Sequence, residues 1–329
     1  MKALLHPDLV NGRTGDPALF LDFQFARRAF LFDIGDLHAL PARKILRVSD
    51  AFVSHCHLDH FVGFDTVLRL SIGRVATIRL HGPEGLIAAV AQKLAAYTWN
   101  LADKYAADLA FVVQELHEDG SRRRARLRLR NRFVAEPLDP PDLPSGCLLD
   151  EPALRVRAVT LDHFIPCLAF AVEEARHLNV WRNRVEAEGL PIGPWLGPFK
   201  QAVASGAPDD TAIAIDGLPA RPLRDLRHLV TVERGQKIGY VTDIRGTEAN
   251  ITAAGELLAG VDILFCEAAF AAEDAAVAAD RGHLTTREAV EIARRAGAKR
   301  LEPFHFSPRY ADQDDRLLRE VREFFSGAP

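Results

Sequence analysis

Ser54-His55-Cys56-His57-Leu58-Asp59-His60 places three imidazoles and a carboxylate within six residues, directly after the apolar run Ala51-Phe52-Val53. An apolar run that ends in such a cluster reads as a buried strand delivering ligands from its end. His55 and His57 are two apart, so in extended chain they project to the same side and can grip one ion. Asp59 and His60 fall past the turn, toward a second ion.

Two ions need more donors than this run supplies, and the rest of the chain offers them. His163 in Leu161-Asp162-His163 follows a strand-like run and can complete three nitrogens on the first ion. His305 in Phe304-His305-Phe306-Ser307 can do the same for the second. Asp243, at the end of Tyr240-Val241-Thr242-Asp243, has a carboxylate able to bridge both. Imidazole nitrogen with carboxylate oxygen is zinc chemistry, and a catalytic zinc keeps a position open for water. Manganese or iron would also suit the set. Taken alone, His163 or His305 reads as a hydrogen-bonded core histidine; the cluster at 55–60 is what turns the reading to metal. Asp33 is either a turn residue or the partner of a ligand histidine's second nitrogen. Cys56, between two candidate ligands, reads as a packing residue, and His81, His117, His177 and His228 as surface or supporting positions.

Every donor sits at a strand end. Strand-like runs fall at 29–32, 51–54, 77–80, 109–113, 155–161, 168–172, 237–241, 262–266 and 300–305, with helical periodicity over 83–97, 285–296 and 312–325. That alternation indicates an α/β layered fold. The halves 55–163 and 243–305 each contribute ligands.

The order of these motifs resembles the metallo-β-lactamase superfamily, whose HxHxDH signature His55, His57, Asp59 and His60 match without a gap. The closer likeness is to the ribonuclease Z branch, the tRNA 3′-processing endonucleases. Leu31-Phe32-Asp33-Ile34-Gly35-Asp36, His81-Gly82-Pro83-Glu84-Gly85-Leu86 and Gly239-Tyr240-Val241-Thr242-Asp243-Ile244-Arg245 look like that branch's earlier segments. Cys266-Glu267-Ala268-Ala269-Phe270, Arg281-Gly282-His283-Leu284-Thr285 and His305-Phe306-Ser307-Pro308-Arg309-Tyr310 are similar to its later ones. The resemblance implies an αββα four-layer sandwich over 1–329 with the metals at one edge. It also implies a homodimer, a tRNA-precursor substrate, and an acid–base role for His283, with Glu267 either orienting it or holding a ligand. Two zinc ions about 3.5–4 Å apart would deprotonate a bridging water near neutral pH, and the hydroxide would attack phosphorus. The expected activity is therefore phosphodiester hydrolysis, with Asp59, His283 and Glu267 as catalytic residues.

Some positions depart from the branch's pattern. Gly35-Asp36-Leu37-His38-Ala39 replaces a Gly-Glu-Gly-Thr-Gln loop, Leu284 a serine and Cys266 a histidine. A diverged hydrolase of small phosphodiesters, esters or lactones stays open on these grounds, since fold does not fix substrate. So does a metal-stabilised RNA- or partner-binding protein that cuts nothing.

Between 173 and 233 the periodicity breaks into polar, Gly- and Pro-rich chain, including Gly189-Leu190-Pro191-Ile192-Gly193-Pro194, which reads as an inserted arm or lid. In ribonuclease Z the corresponding interval clamps the tRNA body; a surface lid or dimerisation loop is the alternative. Arg176, His177, Arg182, Arg184 and Lys200, with Trp181 and Trp195, would either contact RNA or anchor the insertion to its own body. Arg122 to Arg132 is the densest basic run, and from Arg124 its arginines alternate as on one face of a strand, either to neutralise phosphates or to protect an exposed edge.

Composition sets bounds on all of this. The 329 residues are 48% hydrophobic and 26% charged, enough for a large core in one or two domains. A formal net charge of −4 provides no global field for nucleic acid, so RNA contact would need a local basic patch. The four cysteines form no CxxC pair, which suits a reducing cytoplasm. The start, Met1-Lys2-Ala3-Leu4-Leu5-His6-Pro7, is too short an apolar stretch for a signal peptide, and no membrane-spanning run is expected.

Overall fold

The structure, a computed structural model, describes residues 5–24 and 26–326. The reading of the first seven residues falls in part outside these, as does the side chain of His177.

Two compact units emerge from the chain, one of 1–151, 155–172 and 236–329, the other of 152–154 and 173–235. The larger unit begins with β1 (Leu5–Leu9), β2 (Leu19–Phe23), β3 (Ala29–Phe32), β4 (Val48–Phe52), β5 (Ala76–Pro83), β6 (Leu109–Leu116), β7 (Arg122–Arg128) and β8 (Ala135–Leu138). These form one eight-stranded sheet in sequence order. β3 to β6 run parallel, while the flanking strands are antiparallel. β9 (Cys147–Glu151), β10 (Leu154–Asp162) and β11 (Pro166–Glu174) belong to a second sheet.

The smaller unit has its own pairs, β12 (His177–Val180) with β15 (Val230–Glu233) and β13 (Ala212–Ile215) with β14 (Leu218–Pro222). Its core gathers Val185, Trp195, Phe199, Leu223, Leu226 and Leu229. Trp195 thus anchors the insertion to its own body, whereas Trp181 is exposed and donates its indole N–H to Thr231 Oγ1 at 2.6 Å. Apolar residues this sparse make a core only once turns bring them together, which is why the stretch reads as irregular.

The chain returns to the larger unit with β16 (Lys237–Val241), β17 (Ile263–Glu267) and β18 (Arg300–Phe304). The second sheet has the order β18-β17-β16-β11-β10-β9. Period-two alternation assigns the two faces of each sheet. Leu31, Ala51, Val53, Phe111 and Val113 join a core with Phe64, Val67, Leu86 and Val90 of the helices Phe64–Ser71 and Leu86–Ala95. Ala169, Ala171, Val241 and Leu264 pack with Ile251, Ala254, Ile292 and Ala293 from Glu248–Leu257 and Thr286–Arg295. Between the sheets lie aromatics on the opposite faces: Phe32 is 4.9 Å from Phe52, 5.6 Å from Phe170 and 5.8 Å from Tyr240, and Tyr240 is 5.2 Å from Phe304. Helix, sheet, sheet, helix is the four-layer metallo-β-lactamase architecture expected from the sequence.

One expectation is corrected. The arginine strand β7 is not an edge, because β8 pairs with it. Four-residue Ala135-Glu136-Pro137-Leu138, with its proline, carries no strand signal of its own. Ala125 and Leu127 face the core, and Arg126 and Arg128 reach Glu136 at 2.8 and 3.3 Å. Their face is half-buried rather than an exposed ladder.

Candidate metal centre

After β4 the chain bends at Ser54, is extended at His57 and then turns into the short helix Leu58–Phe61, with His57 as its N-cap. That switch carries Asp59 and His60 away from the line of His55 and His57. Asp33 follows β3, His163 follows β10, Asp243 lies two residues beyond β16, Glu267 ends β17, and His305 follows β18. Since β3 and β4 are parallel, as are β16, β17 and β18, these ends gather on one edge of the sandwich.

The gathering forms two four-residue groups, His55, His57, His163, Asp243 and Asp59, His60, Asp243, His305, each with donor atoms within 4.8 Å of one another. A third group, Asp243, Glu267, His283 and His305, overlaps them. Asp243 Oδ2 lies 3.1 Å from His60 Nε2, 3.7 Å from His55 Nε2 and 3.8 Å from His163 Nε2. His305 Nδ1 is 2.8 Å from Asp243 Oδ1, and its Nε2 is 3.4 Å from Asp59.

The hydrogen bonds on the far nitrogens explain which lone pairs are left over. His60 Nδ1–H donates to Asp33 Oδ2 at 2.9 Å, and His163 Nδ1–H to the Gly282 carbonyl at 2.8 Å. Ser54 Oγ spends its proton on Asp33 at 2.8 Å and so accepts from His55 Nδ1–H at 3.0 Å. In the neutral form that ligates a metal, a ring protonated at Nδ1 would aim its Nε2 lone pair toward Asp243, as the placement of His55, His60 and His163 allows. Among the described residues His55 Nε2, His60 Nε2 and His305 Nδ1 are buried without a well-formed hydrogen bond, their shared neighbour being the Asp243 carboxylate. Stranded nitrogens of this kind are costly unless something binds them. A divalent cation fits the vacancy in their bonding, and the nitrogen-plus-carboxylate set suits zinc.

Electrostatics divide the imidazoles: burial lowers His60 and His305, but Asp243 more than reverses this and leaves both raised, so an arriving cation would displace their protons. Burial and then the neighbouring imidazoles push His55 down to about 2, favouring the neutral form that can ligate. Burial opposes ionisation of Asp243, but His305 and His60 hold it far below the ordinary carboxylate range. Burial lowers His283 and the Glu267 carboxylate more than reverses this, leaving it raised. His283 Nδ1–H donates to Glu267 Oε2 at 3.0 Å, while Glu267 Oε1 accepts the Ile244 N–H at 2.7 Å. A cavity of about 260 Å³ opens beside this pair, lined by Asp16, Asp59, Arg281, His283 and His305 among others.

Backbone strain concentrates here as well. Asp33, Asp243 and His305 have φ of 56°, 34° and 59°, and Phe164, beside His163, has 61°. Such values are rare outside glycine and persist where surrounding structure demands them.

Sequence reading missed several supporting groups. Ser54 and Tyr240 both donate to Asp33, Tyr240 Oη at 2.9 Å, and neither residue type announces such a role. Gly282, at φ 76°, brings its carbonyl to His163; the glycine ahead of His283 was the one available signal. Cys56 is exposed rather than packed, because the turn into Leu58–Phe61 faces it outward. His81 is buried against Asp50 at 3.3 Å, and His117 lies 3.2 Å from both Glu84 and Glu115, so neither is a surface residue.

Residues 214–306 match the Beta-lactamase superfamily domain. The chain is 34% identical over 331 residues to Ribonuclease Z of Deinococcus radiodurans, covering 99% of this chain and 97% of that protein. In fold it is similar to human tRNase Z, short form (TM-score 0.52, 18% identity, 93% of each chain covered). It is similar also to the metallo-beta-lactamase fold protein YhfI from Bacillus subtilis (TM-score 0.55, 17% identity, 97% of this chain and 92% of that one). Near full-length identity at that level, on top of the motif order and the shared fold, means that the chain belongs to the ribonuclease Z family of metal-dependent hydrolases within the β-lactamase superfamily.

Proposed function

We propose that this chain is a binuclear-metal phosphodiesterase that cuts tRNA precursors at their 3′ end. In this reading His55, His57 and His163 hold one divalent ion, Asp59, His60 and His305 the other, and Asp243 is shared. What supports it most is the convergence, among the described residues, of buried imidazole nitrogens from His55, His60 and His305 on the one carboxylate of Asp243. The RNA substrate rests on likeness to the Deinococcus ribonuclease Z. Zinc is the ion of choice, with manganese or iron as substitutes.

Divalent ions in such a site lower the pKa of water toward neutrality and draw charge from phosphoryl oxygens, so no side-chain nucleophile is required. Asp59, which lines the cavity, accepts a hydrogen bond from the attacking water. His283 supplies the proton that the departing 3′-oxygen needs as the P–O3′ bond breaks, which leaves a 3′-hydroxyl on the tRNA. Glu267 fixes the imidazole by its Nδ1, raises its pKa, and leaves Nε2 for the leaving group. The insertion 173–233 contacts the body of the RNA and takes no part in bond cleavage. The protein works as a cytoplasmic homodimer; no helix among the described residues is long and apolar enough to cross a membrane.

The test is incubation of zinc-loaded protein with a 3′-extended tRNA precursor beside bis(p-nitrophenyl) phosphate and a lactone. A mature-length tRNA ending in a 3′-hydroxyl is the expected product. Turnover of small substrates alone would reassign the enzyme to a small-molecule hydrolase, and RNA binding without turnover of any substrate would leave a binding protein.

A further inference from the structure

Arg281 lines the same cavity as Asp59, His283 and His305, yet among the described residues its side chain makes no hydrogen bond or ion pair. It ends the helix Ala275–Arg281, and its side chain is exposed. The arginines beside other parts of the centre are committed. Arg13 pairs with Glu302 at 2.6 Å, Arg245 with Asp162 at 2.8 Å and Arg309 with Asp274 at 3.4 Å. Meanwhile two carboxylates, Asp16 and Asp59, line the cavity, which disfavours a polyanion unless a cation offsets them.

The base of Arg281 is also held firmly. Gly282 takes the left-handed conformation that stops the helix, and its carbonyl accepts from His163 Nδ1–H. His283 N–H donates back to the Ala278 carbonyl at 2.9 Å. Arg281 and His283 therefore flank one pinned residue and stand over one cavity.

We propose that Arg281 grips a phosphate of the RNA strand next to the one being cut, so that it selects oligonucleotides over single phosphodiesters. This rests on the ribonuclease reading above. A guanidinium presents a fork of donors that matches phosphate oxygens, and each neutralised phosphate releases counterions. The alternative is purely structural: a cation at a helix C-terminus favours the helix dipole and needs no ligand.

The experiment compares wild type, Arg281→Gln and Arg281→Lys, all zinc-loaded, on a 3′-extended tRNA precursor and on bis(p-nitrophenyl) phosphate, with kcat/KM followed from low to moderate salt. Arg281→Gln is expected to lower kcat/KM on the RNA by about ten- to a hundredfold through KM, the effect of one charge-assisted contact. Its plot of log kcat/KM against log salt should be shallower by about 0.7, the release expected from one phosphate of a single strand. Turnover of the small diester and the melting temperature should stay at wild-type values, and Arg281→Lys should recover the wild-type slope. An unchanged salt slope with unchanged RNA kinetics overturns the proposal. Equal losses on both substrates with a lower melting temperature mean a helix-end role instead. A wild-type enzyme that turns over the diester and ignores the RNA sinks the ribonuclease reading first, and this one with it.

Discussion

His283 shows how one carboxylate can set both the direction and the charge of an imidazole. Glu267 is fully buried and ties one oxygen to a backbone N–H, so its other oxygen can only hold His283 Nδ1–H. His283→Ala is expected to slow RNA cleavage by about 10²–10⁴, the range for lost acid–base help, without loss of metal. Bis(p-nitrophenyl) phosphate has a leaving group that needs little protonation, so its turnover should suffer much less. Equal losses on both would assign His283 to phosphate binding or folding. Gly282 carries a second prediction at this scale. A Cβ there would stand 2.8 Å from the Phe164 ring and 3.1 Å from His163 Nδ1, at a φ that side chains rarely adopt. Gly282→Ala should lower stability by about 1–3 kcal/mol and weaken metal uptake through His163, whereas a melting curve and metal titration like wild type would show that the loop absorbs the methyl group.

Strands of the parallel cores were the legible elements. The runs at 29–32 and 237–241 coincide with β3 and β16 end to end, because both faces of a strand between layers must be apolar. The fold brings together the seven residues singled out as candidate ligands, His55 close behind such a strand and the others after mixed strands or a turn, where histidine and aspartate stood out by their chemistry. Other elements had no comparable signal. The helix Glu248–Leu257 buries Asn250 and Gly255 in its face, so its apolar stripe is interrupted. β1 is Leu-His-Pro-Asp-Leu, whose polar residues and proline read as loop. Asp50 in β4 was another blind spot, an acid in a central strand. It is fully buried and reaches Arg79 at 2.6 Å and Arg28 at 2.9 Å, with Glu151 of β9 joining both arginines. Burial opposes its charge, but His81 and Arg79 hold it well below the ordinary carboxylate range. Asp50→Asn should cost about 3–5 kcal/mol at neutral pH, the usual result of breaking a buried pair. With a folded-state pKa below the unfolded value of about 4, the wild-type advantage is complete above that value and disappears as pH falls through the folded one. Denaturant titrations should therefore show the two proteins converging in acid; a gap that stays constant to low pH would mean that the loss is one of packing.

At the scale of the whole molecule, the insertion has its own core and sheet pairs, so its removal need not empty the other unit's core. Replacing most of 173–233 by a short linker should spare turnover of bis(p-nitrophenyl) phosphate and abolish action on the tRNA precursor; equal loss of both would make the insertion structural. In the proposed reading the metal centre ties stability to pH across the remaining chain. Its donors come from strands of both sheets, so ions that bind only this folded arrangement stabilise it by mass action. Burial lowers His305, but Asp243 outweighs this and brings it up to about 10, so the imidazole carries a proton at neutral pH that an ion must displace. Metal binding should therefore release protons and tighten as pH rises, with the dependence persisting above neutrality because the folded pKa lies there. Calorimetric titration of chelator-stripped protein with zinc, repeated in buffers of different ionisation enthalpy, measures the release. Net release near pH 7, together with a higher melting temperature on loading, is the expected result. Heats independent of the buffer would mean that His305 is already neutral, and that its proton is not what the ion replaces.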